Sequence, residues 1–127
     1  MVGRRIKVSF SEPIFWHFAF DKGGVITAEC PWRLLNDGSI KLSSADHRQQ
    51  FGLPAPIDAA TRATELLSAS VVSRAEMRAG TLDILLEFDH GFRLEILPIS
   101  SGYEGWKMLD PLGRELIAQG GGNLVES

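Results

Sequence analysis

Two stretches of this chain alternate apolar and other side chains one by one, and each runs directly into a glycine turn. In the first, Ile14, Trp16, Phe18 and Phe20 are separated by Phe15, His17 and Ala19; in the second, Leu82, Ile84, Leu86 and Phe88 are separated by Asp83, Leu85 and Glu87. A period of two places one set on one face of a strand, so these segments are committed to sheet. Asp21-Lys22-Gly23-Gly24 and Asp89-His90-Gly91 follow, and the chain then resumes as Val25 to Cys30 and as Phe92 to Ile96. Both read as hairpins whose turns use glycine for positive φ.

The correspondence extends beyond the hairpins. Phe20-Asp21-Lys22-Gly23 aligns with Phe88-Asp89-His90-Gly91, and Trp32-Arg33-Leu34-Leu35-Asn36 aligns, in the same order, with Trp106-Lys107-Met108-Leu109-Asp110. From Phe20 to Trp32 is 12 residues and from Phe88 to Trp106 is 18, so the loop after Leu97 should carry the excess. Ile6, Val8 and Phe10 form a strand ending near Glu12-Pro13, and Val71-Val72 through Met77 takes the same place in the second half. Tyr103 to Leu109 and Arg114 to Ala118 flank Asp110-Pro111-Leu112-Gly113, a turn with proline at its second position. The chain thus reads as one domain over 1–127, built from two pseudo-repeated β units at about 4–45 and 70–119.

A helix at about 58–68 joins them. Asp58 is placed to cap it, Ala59, Ala60, Ala63, Leu66 and Leu67 share one face, and Arg62, Thr64 and Glu65 point elsewhere. The expected class is α+β, mostly antiparallel β, with a sandwich-like or half-barrel arrangement. Strand order does not follow from periodicity.

With 13 Lys and Arg against 16 Asp and Glu, the chain has no excess positive charge for a phosphate backbone, and nucleic acid is not an expected partner. The cluster Arg4, Arg5 and Lys7 is expected to solvate the first strand. No apolar run approaches the ~20 residues of a membrane span, and Ser9, Ser11, Glu12, Pro13 and His17 interrupt any signal-like segment. The single cysteine, Cys30, fits a reducing compartment, so a cytoplasmic location is expected.

His17, His47 and His90 lack metal-ligand spacing, and Cys30, followed by Pro31 and Trp32, reads as a buried structural thiol. Gly-x-Ser-x-Gly, His-Glu-x-x-His and Cys-x-x-Cys are absent. Gly120-Gly121-Gly122 reads as a turn or a flexible approach to Asn123-Leu124-Val125. No catalytic residue, metal or cofactor is assigned.

Two groups of residues stand out. Asp46, His47, Arg48, Gln49 and Gln50 concentrate polar chemistry in one connection; there His47 could serve as general acid or base and Arg48 could hold an anionic group, although a solvated loop explains the same composition. Trp32, Tyr103 and Trp106 are large aromatics of the kind that anchor interfaces, with core packing as the competing reading. The matched places of Trp32 and Trp106 favour structure for those two.

The ordered set Pro31-Trp32-Arg33-Leu34, Asp46-His47-x-Gln49, Phe88-Asp89-x-Gly91 and Tyr103-Glu104-x-Trp106 resembles a group of small bacterial proteins filed as a domain of unknown function. That resemblance implies a bacterial cytosolic protein and brings no activity. The leading expectation is a non-enzymatic module that binds a protein partner or associates with itself as a homodimer. The alternative is a small-molecule-binding protein or enzyme using the Asp46-to-Gln50 loop.

Overall fold

The computed structural model describes residues 1–127. The first half supplies β1 (Ile6–Ser11), β2 (Phe15–Phe20), β3 (Val25–Ala28), β4 (Trp32–Asn36) and β5 (Ser39–Ser43). After α1 (Ala59–Leu66) come β6 (Val72–Met77), β7 (Ile84–Phe88), β8 (Phe92–Ile96), β9 (Trp106–Leu109), β10 (Glu115–Gln119) and β11 (Asn123–Glu126). All pairings are antiparallel, in the orders β1-β2-β3-β9-β10-β11 and β5-β4-β8-β7-β6. The class is α+β with antiparallel sheets, and the two sheets face one another in a sandwich-like arrangement.

Neither sheet belongs to one half of the chain. β3 pairs with β9 at the centre of the first sheet, and β4 pairs with β8 at the centre of the second. Ala28 lies opposite Trp106 and Ile26 opposite Met108; in the other sheet Ile96 lies opposite Trp32 and Leu94 opposite Leu34. The inward-facing residues of both sheets, together with Ala59, Ala60, Ala63 and Leu67 from the helix and with Cys30 and Leu82, form one cluster of 25 buried side chains, with Phe18, Ile26, Trp32, Leu34, Leu86, Leu94, Ile96 and Trp106 at its centre. Each such aliphatic or aromatic residue contributes about 1.5–3 kcal/mol on leaving water. The alternation in β2 behaves as its sequence demands: Trp16, Phe18 and Phe20 are buried, while His17 sits on the outer face between Ser11 (2.8 Å) and Thr27 (3.2 Å). Ile14 falls outside the strand and is half exposed, and Leu82 takes φ 63 ahead of β7.

The helix closes one edge. Asp58 accepts from the Thr61 amide at 3.1 Å, and Ala59, Ala60, Ala63 and Leu67 are buried as their spacing predicts. Thr64 departs from expectation, because its hydroxyl accepts from the Val8 amide at 2.8 Å and lies 3.1 Å from the Val8 carbonyl. These are the outward-pointing backbone groups of β1, so the side chain occupies an edge that would otherwise be open to another strand. Beside it the sheets are joined through Gly3 and Arg4, whose amide and carbonyl bond the carbonyl and amide of Val72 at 2.7 and 2.8 Å. Arg4 is also used locally, donating to the Gly23 and Lys22 carbonyls at 2.6 and 3.1 Å.

The three glycines near the C-terminus are a tightly packed turn into β11, a strand the sequence pattern did not reveal. A Cβ on Gly120 would fall 2.4 Å from the Gly102 backbone, and one on Gly122 only 1.8 Å from the Gly80 carbonyl oxygen. Close backbone approach, rather than flexibility, explains the glycines here. No helix is long and apolar enough to cross a membrane.

Candidate functional site

The polar loop expected to carry chemistry spends most of its groups on its own structure. Asp46 accepts from the Ser43 amide at 2.9 Å, and its carbonyl accepts from the Gln49 amide at 3.0 Å. His47 Nδ1 accepts from the Ala59 amide at 3.1 Å, satisfying a donor in the first turn of α1. An amide can only donate, so Nδ1 is unprotonated and the neutral ring carries its proton on Nε2. The imidazole packs against Phe10 and Trp16, with centroids 4.9 and 5.1 Å away. Arg48 pairs with Glu12 and lies over the Phe10 ring at 5.7 Å. The Gln50 side chain donates to the Leu53 carbonyl at 2.8 Å, and the Gln49 carbonyl accepts from the Ile57 amide at the same distance.

His47 and Arg48 do border an open depression of about 610 Å³ with Lys7, Phe10, Ile57 and Asp58. Asp58 is held below its ordinary value first by the Thr61 amide, then by the Thr61 hydroxyl. That carboxylate is the helix cap, already accepting from Thr61. The guanidinium faces Glu12, so the anion-binding role proposed for Arg48 competes with an existing ion pair.

The aromatic group divides. Trp32 and Trp106 are 1% and 0% exposed, which leaves them no surface for a partner, while Tyr103 is 83% exposed. Trp106 Nε1 donates to the Leu82 carbonyl at 2.8 Å, whereas Trp32 Nε1 has no hydrogen-bond partner in the protein. Matched positions in the sequence are therefore both core, with different hydrogen bonding.

Tyr103 lies at a site that motif reasoning did not assemble. The chain crosses between the sheets twice at one place, through Glu29-Cys30-Pro31 after β3 and through the longer segment 97–105 after β8. The crossovers bond each other, the Glu29 amide to the Gly105 carbonyl at 2.9 Å and the Leu97 amide to the Pro31 carbonyl at 2.8 Å. The longer one is held from within, since Ser100 Oγ accepts from the Gly102 and Tyr103 amides at 3.0 and 2.8 Å. From behind, the Gly121 amide donates to the Ser100 carbonyl at 3.0 Å.

Between the crossovers is a groove of about 410 Å³. Its walls are Ile14, Pro31, Ile99 and Tyr103, Cys30 forms part of its lining, and Glu29 and Glu104 are its charged residues. Ile99 and Tyr103 are 79% and 83% exposed, whereas Cys30 is buried. Desolvation pushes the Cys30 thiol up to about 12, with nearby Asp83 and Glu29 adding to the effect, so the sulfur is an apolar surface rather than a nucleophile at neutral pH. The same Ile14, Glu29, Cys30 and Pro31 also border a shallower depression running toward Trp16, His47 and Arg48. The signal available in the sequence was the longer Phe88-to-Trp106 spacing, with two large apolar side chains inside the excess.

Fold and site together define an α+β protein of two composite antiparallel sheets with an apolar, acid-bordered groove at the sheet crossovers. Comparisons of the chain with protein-family models, with curated protein sequences and with solved structures return no match.

Proposed function

We propose that this chain is a protein-interaction module that docks a partner protein at the crossover groove. The observation that carries the reading is the presentation of Ile99 and Tyr103. Two large apolar side chains stand exposed, side by side with Ile14, on a loop held by backbone bonds and close glycine packing. Scattered exposed apolar residues need no explanation, but a group around a concavity favours contact with another surface. Because the loop is already ordered, binding costs little further conformational entropy. The enzymatic alternative at the Asp46-to-Gln50 loop is less well supported, because His47 Nδ1 and the Arg48 guanidinium already have partners.

Duplication belongs to the same proposal. The exchange of Ala28 opposite Trp106 for Ile96 opposite Trp32 is what two copies of one unit, interleaved about a pseudo-twofold axis, would produce. On that reading the crossover groove lies where the copies differ most, which favours an acquired role over an inherited structural one.

Site-specific photocrosslinking in the source cells tests the docking reading. A photoreactive residue at position 103 should yield a discrete adduct that the Ile99→Asp variant abolishes, and one at Leu112, equally exposed outside the groove, should not. An adduct of twice the chain mass would make the partner a second copy. Identical adducts from positions 103 and 112, unaffected by Ile99→Asp, would overturn the proposal.

A further inference from the structure

We infer that the groove takes a large apolar side chain with a positively charged residue next to it, carried on an extended segment of the partner protein; this rests on the docking reading above. Three observations support that chemistry. First, the volume of about 410 Å³ lies near the lower end of ligand sites, which suits one bulky side chain and its neighbours rather than a larger body.

Second, the charges in the groove have one sign. Glu29 and Glu104 line it, and no lysine, arginine or histidine does. Of the other acids, Glu12 pairs with Arg48, Glu76 with Arg74, Asp83 with Arg78, Glu87 with Arg93, Glu95 with Arg33 and Arg93, and Asp110 with Arg114, while several, Asp37 and Glu65 among them, form no ion pair. Glu29 and Glu104 form no such pair. The Glu29 amide bonds the carbonyl of Gly105, the residue after Glu104, so both acidic side chains start from adjoining stretches of backbone.

Third, the exposed Tyr103 ring offers an aromatic face, which attracts cations as well as apolar groups. An anionic segment would meet two unneutralised carboxylates on entering a partly desolvated surface. A cationic one would meet its complement.

Titration of the ¹⁵N-labelled full chain with short capped peptides tests the assignment. The probes are acetyl-Gly-Phe-Lys-Gly-amide, its Phe-Glu and Ala-Lys counterparts, and the small amine phenethylammonium. The Phe-Lys peptide should shift amides at 29–31 and 99–105 in a saturable way and bind about fivefold more tightly than the Phe-Glu peptide, a preference that low salt enlarges. The Ala-Lys peptide should leave those amides unmoved. In the Glu29→Gln/Glu104→Gln variant the Phe-Lys preference should fall below about twofold, while amide dispersion stays native.

Equal binding of the Phe-Lys and Phe-Glu peptides in the groove would overturn the charge assignment and leave the docking reading standing. Phenethylammonium binding as tightly as the Phe-Lys peptide would overturn the peptide assignment in favour of a small amine ligand. Absence of groove shifts with all four probes would overturn the inference, and the crosslinking at position 103 would then decide the docking reading separately.

Discussion

Replacing each buried tryptophan by phenylalanine should separate two positions that the sequence makes alike. Both indoles are essentially fully buried, so each substitution removes a similar apolar volume from the same core. The difference lies in the ring N–H. In Trp106→Phe the 2.8 Å bond to the Leu82 carbonyl disappears and a buried acceptor is left short of a partner, which costs about 1–3 kcal/mol beyond the lost packing. Trp32→Phe instead removes a buried donor that nothing in the protein satisfies, recovering part of the packing loss. A phenylalanine at 32 also keeps a ring beside Trp16 and Phe18, which Trp32 now meets nearly edge-on at 5.2 and 5.9 Å. The Trp106→Phe variant should therefore be the less stable of the two by about 2 kcal/mol. For a domain of this size that is roughly 6–10 °C in Tm. Urea unfolding followed by far-UV circular dichroism measures the difference without depending on tryptophan emission. Stabilities within about 0.5 kcal/mol of one another, at equal m values, would refute the hydrogen-bond argument.

Two further outcomes follow from buried groups. Thr64→Val leaves the Val8 amide of β1 without its acceptor at nearly constant side-chain volume, so it should cost about 1–3 kcal/mol in urea unfolding, whereas Thr64→Ser should cost less than about 1 kcal/mol; equal losses would show that the hydroxyl does not matter. Burial raises Cys30 from an ordinary 9.0 to about 12, so its thiolate is scarce at pH 8, and iodoacetamide should modify the native chain roughly a thousandfold more slowly than the urea-unfolded chain; similar rates in the two states would contradict the buried, apolar assignment.

The strands were legible because a period of two is a local property. Trp16, Phe18 and Phe20 needed only their own spacing to declare a buried face, and Asp58 needed only the helix after it to act as a cap. Thr64 was misplaced for the opposite reason: its role depends on Val8, far away in the chain, and nothing near Thr64 encodes that contact. His47 followed the same pattern. An imidazole beside an acid and a guanidinium suggests chemistry, yet the folded chain turns its Nδ1 toward the Ala59 amide and gives Arg48 to Glu12. β11 was missed because Asn123-Leu124-Val125-Glu126 sets its two apolar residues side by side with no alternation, and the reason for the glycines before it lies in the Gly102 and Gly80 backbones that they approach.

By itself the sequence determined which residues alternate into a core, where the glycine turns fall, where the helix begins and that the second crossover is longer than the first. Tertiary structure alone decided that β3 pairs β9 and β4 pairs β8, because alternation specifies the face of a strand and not its neighbour. It alone decided the groove as well. Ile14, Cys30 and the loop that carries Ile99 and Tyr103 lie far apart in sequence, and they share one concavity only because two crossovers bond side by side.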